Sequence, residues 1–161
     1  MNRFDLSHRT KPSVLDRLLD DDPRMSHETA ASRFKSLQQY KNSVRRDLEW
    51  LLNTRQIVGG IRSELEEAGH SLAAYGLPDF TSANIKSQAD QTLVRRAVEN
   101  VIRIFEPRLE DVVVTIVGRE GIDLTLRFRI DARLKVLPAP EPVTFDTVLQ
   151  LSTGKYSVHD S

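Results

Sequence analysis

Three carboxylates and an arginine crowd one short stretch, Glu106-Pro107-Arg108-Leu109-Glu110-Asp111. Two chemistries suit such a set. One is glycoside hydrolysis, in which two carboxyl groups roughly 5–9 Å apart flank the scissile bond and one holds a proton for the leaving oxygen. Glu106 and Glu110 are the pair that a peptidoglycan hydrolase of this kind would use. The other is recognition. The fork of Arg108 matches a partner carboxylate bidentately, while Glu106 accepts from partner amides or fixes the Arg108 rotamer. The neighbourhood disfavours hydrolysis, and on local evidence the plain alternative to recognition is a helix stop with two solvated charges. A guanidinium beside Glu106 favours the charged carboxylate, whereas a general acid must keep its proton. Aromatic residues, the usual sugar platforms, are 6% of the chain, and Trp50 is the single tryptophan. No catalytic residue is assigned.

Other chemistry is sparse. His8, His27, His70 and His159 are scattered and match no metal-ligand spacing. There is no cysteine, which excludes disulfides, thiolate metal sites and cysteine nucleophiles and fits a reducing compartment. No Gly-x-Ser-x-Gly elbow occurs, and Gly59-Gly60 lacks the lysine and hydroxyl of a phosphate loop. Neither a metal nor a cofactor is expected. Lys+Arg and Asp+Glu are both 23, so the basic excess of a nonspecific nucleic-acid binder is missing. No apolar run has the length of a membrane span, and residues 1–5 lack the apolar core of a signal peptide. The expectation is a soluble, cytoplasmic protein without direct membrane insertion.

The elements that must hold the Glu106–Arg108 stretch follow from periodicity. Pro107 has no N–H and biases Glu106 away from the α region, so the preceding helix should end near Phe105. That helix, with Thr81 or Ser82 as its cap, carries Ile85, Ala89, Leu93, Ala97, Val101 and Phe105 at i, i+4 spacing, widened by Val94, Val98, Ile102 and Ile104. After the proline, residues 112–117 are almost continuously apolar and β-branched, as in a strand buried on both faces. Residues 118–121 form a turn. Residues 122–136 then alternate, with Leu126, Phe128, Ile130, Ala132, Leu134 and Val136 on one face and Arg127, Arg129, Arg133 and Lys135 on the other. So long a strand calls for a bend, a bulge or an overhang. Pro138, Pro140 and Pro142 stiffen the next connection, residues 143–151 form a third strand, and residues 156–158 a short last one.

Upstream, Phe34, Leu37, Tyr40, Val44, Leu48, Leu51 and Leu52 mark an amphipathic helix ending at Asn53-Thr54; Trp50, off the centre of the stripe, is expected in the core, the alternative being a contact with a partner. Gly76-Leu77-Pro78 is a turn that buries Leu77 and Phe80. Ser13 caps a short segment whose Val14, Leu15, Leu18 and Leu19 form one apolar edge, stopped by Asp20-Asp21-Asp22-Pro23. A helix so short must dock to persist, either on its own domain or in a partner groove. The expected fold is α+β: a two-layer sandwich of helices on a small, mainly antiparallel sheet, with a short N-terminal docking helix in an arm over residues 1–30 and one domain over residues 31–161.

Five stretches together resemble one family: Ser13-Val14-Leu15-Asp16-Arg17-Leu18-Leu19-Asp20-Asp21-Asp22-Pro23, Arg46-Asp47-Leu48-Glu49-Trp50-Leu51-Leu52-Asn53-Thr54, Tyr75-Gly76-Leu77-Pro78-Asp79, Phe105-Glu106-Pro107-Arg108-Leu109 and Val143-Thr144-Phe145-Asp146-Thr147. They resemble, in order, the TssE family of type VI secretion baseplate subunits, which is similar to the lysozyme-like wedge proteins of contractile phage tails. The resemblance implies a structural role without catalysis. It implies a place in the wedge with TssF and TssG, near TssK, and a platform for the TssB–TssC sheath, in a cytoplasmic baseplate docked at the inner membrane. It implies partner contacts at Glu106, Pro107 and Arg108, to which the apolar edge Val14, Leu15, Leu18 and Leu19 adds a candidate docking surface. It also implies a sheet like the sheath's interlocking domain, completed by strands of neighbouring subunits; the pattern of the chain itself offers residues 122–136 or 156–158 as the edge to which a partner strand adds. On this reading Arg108→Ala blocks assembly and leaves the fold intact.

Overall fold

The computed structural model describes residues 37–56, 66–80, 84, 87–120, 125–137, 139–150 and 153–160. The expected N-terminal helix, with Val14, Leu15, Leu18 and Leu19, lies outside them. Among these residues two long helices come first, α1 (Leu37–Asn53) and, after a one-turn helix α2 (Glu66–Gly69) and a 3-10 turn (Leu72–Ala74), α3 (Gln88–Phe105). Four strands follow: β1 (Leu109–Glu120), β2 (Thr125–Leu134), β3 (Glu141–Gln150) and β4 (Lys155–Asp160). They form one antiparallel sheet in the order β1-β2-β3-β4. Helix α3 packs along β1, α1 along β4, and the helices touch each other. The fold is therefore α+β, with helices on one face of a meander and the other face open among the described residues.

The core fills the space between these layers. Helix α1 contributes Tyr40, Val44, Leu48, Leu51 and Leu52. The sheet contributes Leu126, Phe128, Ile130, Ala132 and Leu134 from β2, Val143, Phe145 and Leu149 from β3, and Tyr156 and Val158 from β4. The alternation in β2 is as the sequence implies, with Arg127, Arg129, Arg133 and Lys135 exposed. Leu77 and Phe80 are buried, as expected of the turn around Gly76.

Several details differ, each for a physical reason. Helix α3 starts at Gln88, not after Thr81 or Ser82: Ser87 is its cap, its Oγ accepting from Asp90 N at 3.3 Å, and Asp90 Oδ2 in turn accepts from Asn84 N at 2.8 Å. Its core face is Val94, Val98, Val101 and Ile102, whereas Leu93 is 59% exposed. A strict i, i+4 row advances about 40° per step around a helix of 3.6 residues per turn, so a row that meets the core at Val101 has left it by Leu93. Trp50 stands out of the core, 52% exposed, with the Arg46 guanidinium 5.2 Å from its ring centroid. Two positions after Leu48 is about 200° around the helix, so the stripe that buries Leu48 turns Trp50 outward.

The strands are corrected as well. β1 is not buried on both faces: it is a margin of the sheet, and Val113 and Val117 are 51% and 53% exposed on the open side. It continues through Gly118 to Glu120, where a turn was expected, pairing Glu120 with Thr125. Strand β2 starts no earlier than Thr125 among the described residues and is paired on both sides, so it offers no free edge. The irregularity expected of β2 falls instead on β1, as two register shifts, between Glu110 and Val113 and between Ile116 and Gly118. Asp111 at the first has φ 53°, the left-handed region, which lets one extra residue fit against a continuous partner strand. Pro142 lies inside β3, where it faces outward.

Candidate functional site

The geometry of the Glu106–Arg108 stretch begins with the helix exit. Glu106 is the C-cap of α3, at φ −119° and ψ 75°, and its N–H donates to Ile102 O at 2.9 Å. The chain then turns over Pro107, and Leu109 N donates back to Glu106 O at 3.1 Å. Pro107 is exposed at the tip, Glu106 is 3% exposed, and Arg108 keeps 15% of its side chain exposed. From the first residues after β2, Lys135 N donates to Arg108 O at 2.8 Å and Lys135 Nζ to Pro107 O at 2.9 Å. The loop is thus tied at its base to the sheet.

Its side chains turn inward, toward α1. Arg108 Nε donates to Glu106 Oε1 at 2.6 Å, and Nη2 to Glu106 Oε2. The same Nη2 donates to Asp47 Oδ2 at 2.7 Å, and Nη1 to Ser43 Oγ at 3.0 Å. The guanidinium also lies 5.9 Å from the Tyr40 ring centroid. Tyr40, Ser43 and Asp47 are three and four positions apart and share one face of α1, so one planar group meets all three. Burial by itself would lower the Arg108 pKa, but the hydrogen bonds and charges of Glu106 and then Asp47 outweigh it and hold the guanidinium above its ordinary value. The Tyr75 hydroxyl beside this cluster is also raised, by burial first and then by the charges of Asp47 and Glu106. Its ring meets Phe105 edge to face at 5.3 Å between centroids.

This arrangement suits a structural joint better than a hydrolytic site. Both Glu106 oxygens bind Arg108, so Glu106 has no free oxygen aimed at a substrate. Glu110 is half-buried and reaches Arg133 at 4.0 Å, and Arg133 also meets Asp111 at 3.4 Å. Among the described residues no cluster of three or more His, Asp or Glu is placed to hold a metal. No helix among them is long and apolar enough to cross a membrane.

Of the residues singled out in the sequence, the structure brings Glu106, Pro107 and Arg108 into one loop and places their charged groups on partners within the chain. The sequence-based reading gave no part in that loop to Tyr40, Ser43, Asp47 and Lys135, which receive it. The one local signal was Ser43, a polar residue beside Val44 on the buried face of α1. The two margins of the sheet also differ. On β4, Asn53 Nδ2 donates to Tyr156 O and Tyr156 N donates to Asn53 Oδ1, both at 2.9 Å, and Arg45 Nη1 reaches Val158 O at 3.4 Å. Helix α1 therefore closes the edge of the short last strand. On β1 the corresponding cover among the described residues is the bond from Arg103 Nη2 to Val112 O at 3.2 Å.

Comparison with known proteins gives no match among the curated proteins and none among the solved structures. A family model does match, the one described as baseplate wedge protein gp25, over residues 38–139. That span runs from the first turn of α1 past the end of β2 and includes the whole Arg108 joint. A structural part in a phage-tail-like baseplate, among other baseplate subunits, comes with that match, and the chain belongs to the baseplate wedge protein gp25 family.

Proposed function

We propose that this chain is the TssE-type wedge subunit of a type VI secretion baseplate, without catalytic activity. It joins TssF and TssG beside TssK, and it offers a platform on which the TssB–TssC sheath begins to assemble. The observation that carries this reading is the family match across α1, α3 and the first half of the sheet. The working place is the cytoplasm, in a baseplate docked at the inner membrane. Within the assembly, Glu106, Pro107 and Arg108 form a loop that meets a neighbouring subunit, with exposed Pro107 at its tip. The apolar edge Val14, Leu15, Leu18 and Leu19 is a second docking surface.

The open margin of the sheet supports the platform. An unpaired strand edge carries N–H and C=O groups that an added strand can satisfy. Among the described residues strand β2 is interior and the β4 edge is covered by Asn53 and Arg45, which leaves β1, flanked by exposed Val113 and Val117, as the place for a partner strand. Co-expression with TssF and TssG, followed by crosslink mapping, tests the proposal. The expected result is co-purification with crosslinks at the 106–108 loop. Failure to recover either subunit with a folded chain overturns it, and release of muropeptides by the pure protein, lost in Glu106→Gln, replaces it with the hydrolase.

A further inference from the structure

Asp47 occupies a position that no comparison assigns and that the wedge role explains. Its two oxygens are divided between two arginines. Oδ1 accepts from Arg46 Nε and Nη2, at 3.1 and 3.0 Å, and Oδ2 accepts from Arg108 Nη2 at 2.7 Å. Arg46 is itself seated over the exposed Trp50 ring. A carboxylate held from both sides keeps one rotamer, and its donor Arg108 is held likewise by Glu106 and Ser43. The contacts run without a break from the outer surface of α1, through Arg46 and Asp47, to Arg108 and the loop tip.

We infer that Asp47, assisted by Ser43, is the positioning residue of the 106–108 loop: it clamps Arg108 to α1 so that Pro107 and the loop backbone meet a neighbouring subunit in one fixed conformation. The inference rests on the wedge reading for the identity of that subunit, but the clamp itself is a property of the isolated chain. Three features support it. The guanidinium faces inward, bonded to Glu106, Ser43 and Asp47 together. Lys135 holds the loop carbonyls from the sheet side, so the Asp47 clamp from α1 is the second of two anchors that keep the turn and its amides in place. Pro107 removes one torsional freedom from the remaining link. Holding a contact loop in its bound conformation improves affinity by reducing the ordering cost of association.

The test uses the full chain in three variants, Asp47→Asn, Asp47→Glu and Ser87→Ala. The last removes the cap of α3 far from the loop and serves as a matched general destabilisation. Amide hydrogen exchange at Arg108 and Leu109 is read in the isolated protein, and affinity is read against a TssF–TssG complex well below the melting temperature. Asp47→Asn is expected to speed exchange at these two amides and weaken binding, each about tenfold, as for a lost charge-assisted hydrogen bond. Exchange in β2 and β3 should change much less, Asp47→Glu should recover most of both effects, and Ser87→Ala should move neither. Unchanged exchange at Arg108 and Leu109 overturns the clamp. Faster exchange with unaltered affinity, or an equal affinity loss in Ser87→Ala, overturns the positioning role. A wild-type chain that fails to bind overturns the wedge reading and the positioning role together, while the exchange result still decides whether the clamp exists.

Discussion

Arg108 draws its partners from two parts of the chain: Glu106 lies two residues away, whereas Asp47 and Ser43 lie 61 and 65 residues earlier. The sequence shows the first partnership, because neighbouring charges across a proline can be read locally. It cannot show the second, because nothing in α1 marks Asp47 as different from other acids on a helix. This changes the expected outcome of Arg108→Ala. Removing one member of a paired, mostly buried set leaves Glu106 uncompensated at 3% exposure, so the variant should lose about 3 kcal/mol of stability, measured by urea unfolding, as well as any partner contact. The expectation that the fold remains untouched is thereby revised. Tyr156 gives a second prediction at this scale. Its ring is buried, and its hydroxyl has no hydrogen-bond partner among the described residues. Burial raises its pKa, with the charge of Arg55 opposing in a smaller measure. The unfolded tyrosine loses its proton at pH about 10. The native one keeps it to higher pH, so the stability that Tyr156 contributes is complete below about pH 10 and falls as pH rises beyond that. Tyr156→Phe should therefore weaken the alkaline limb of a stability–pH profile and leave neutral stability equal or higher, since the unsatisfied hydroxyl is removed.

At the scale of elements, legibility followed how strictly a pattern is tied to one geometry. Strand β2 was readable because period two admits no other regular structure with Leu126, Phe128, Ile130 and Ala132 on one side. The Val-rich β1 was not, because a run without alternation fits an interior strand and a sheet margin equally, and only topology distinguishes them. The α3 stripe failed differently: its i, i+4 spacing was real, but the row winds around the helix. Turn chemistry was the most dependable local signal, and Gly76 carries a firm prediction. It sits at φ +101°, and a Cβ there would lie 2.4 Å from Thr54 O, the carbonyl that receives Leu77 N at 2.8 Å. The obstruction is backbone, at the end of α1, so Gly76→Ala should separate the turn from the helix and lower the melting temperature by several degrees or more, about 1–2 kcal/mol from the left-handed conformation before the clash is added. Asp111, also at positive φ, offers a milder comparison: Asp111→Val should cost about 1–2 kcal/mol and Asp111→Gly little.

At the scale of the whole molecule, the described residues put one face of the sheet under helices, leave the other face open and cover the two margins differently. The sequence announced a two-layer fold and a meander, and it located neither the covered margin nor the open one, because the bonds from Asn53 and Arg45 to β4 join residues about a hundred positions apart. With β4 closed by α1, the proposed addition of a partner strand falls to β1. Val113 and Val117 flank that margin on the open face and contribute little to the core, so replacing both with lysine should change folding stability by no more than about 1 kcal/mol. Edge lysines oppose pairing with an incoming strand. If assembly proceeds through β1, the double variant should unfold at nearly the wild-type urea concentration yet fail to nucleate sheath in a reconstituted mixture of wedge and TssB–TssC subunits. A control on the other margin sharpens the result. Asn53→Ala uncovers Tyr156 N–H and C=O on β4 without adding charge, and it should lower stability while leaving sheath nucleation intact. Normal nucleation by the Val113→Lys, Val117→Lys protein, or its loss in Asn53→Ala at a temperature where the chain is folded, would move the contact away from β1 and require a surface elsewhere on the wedge.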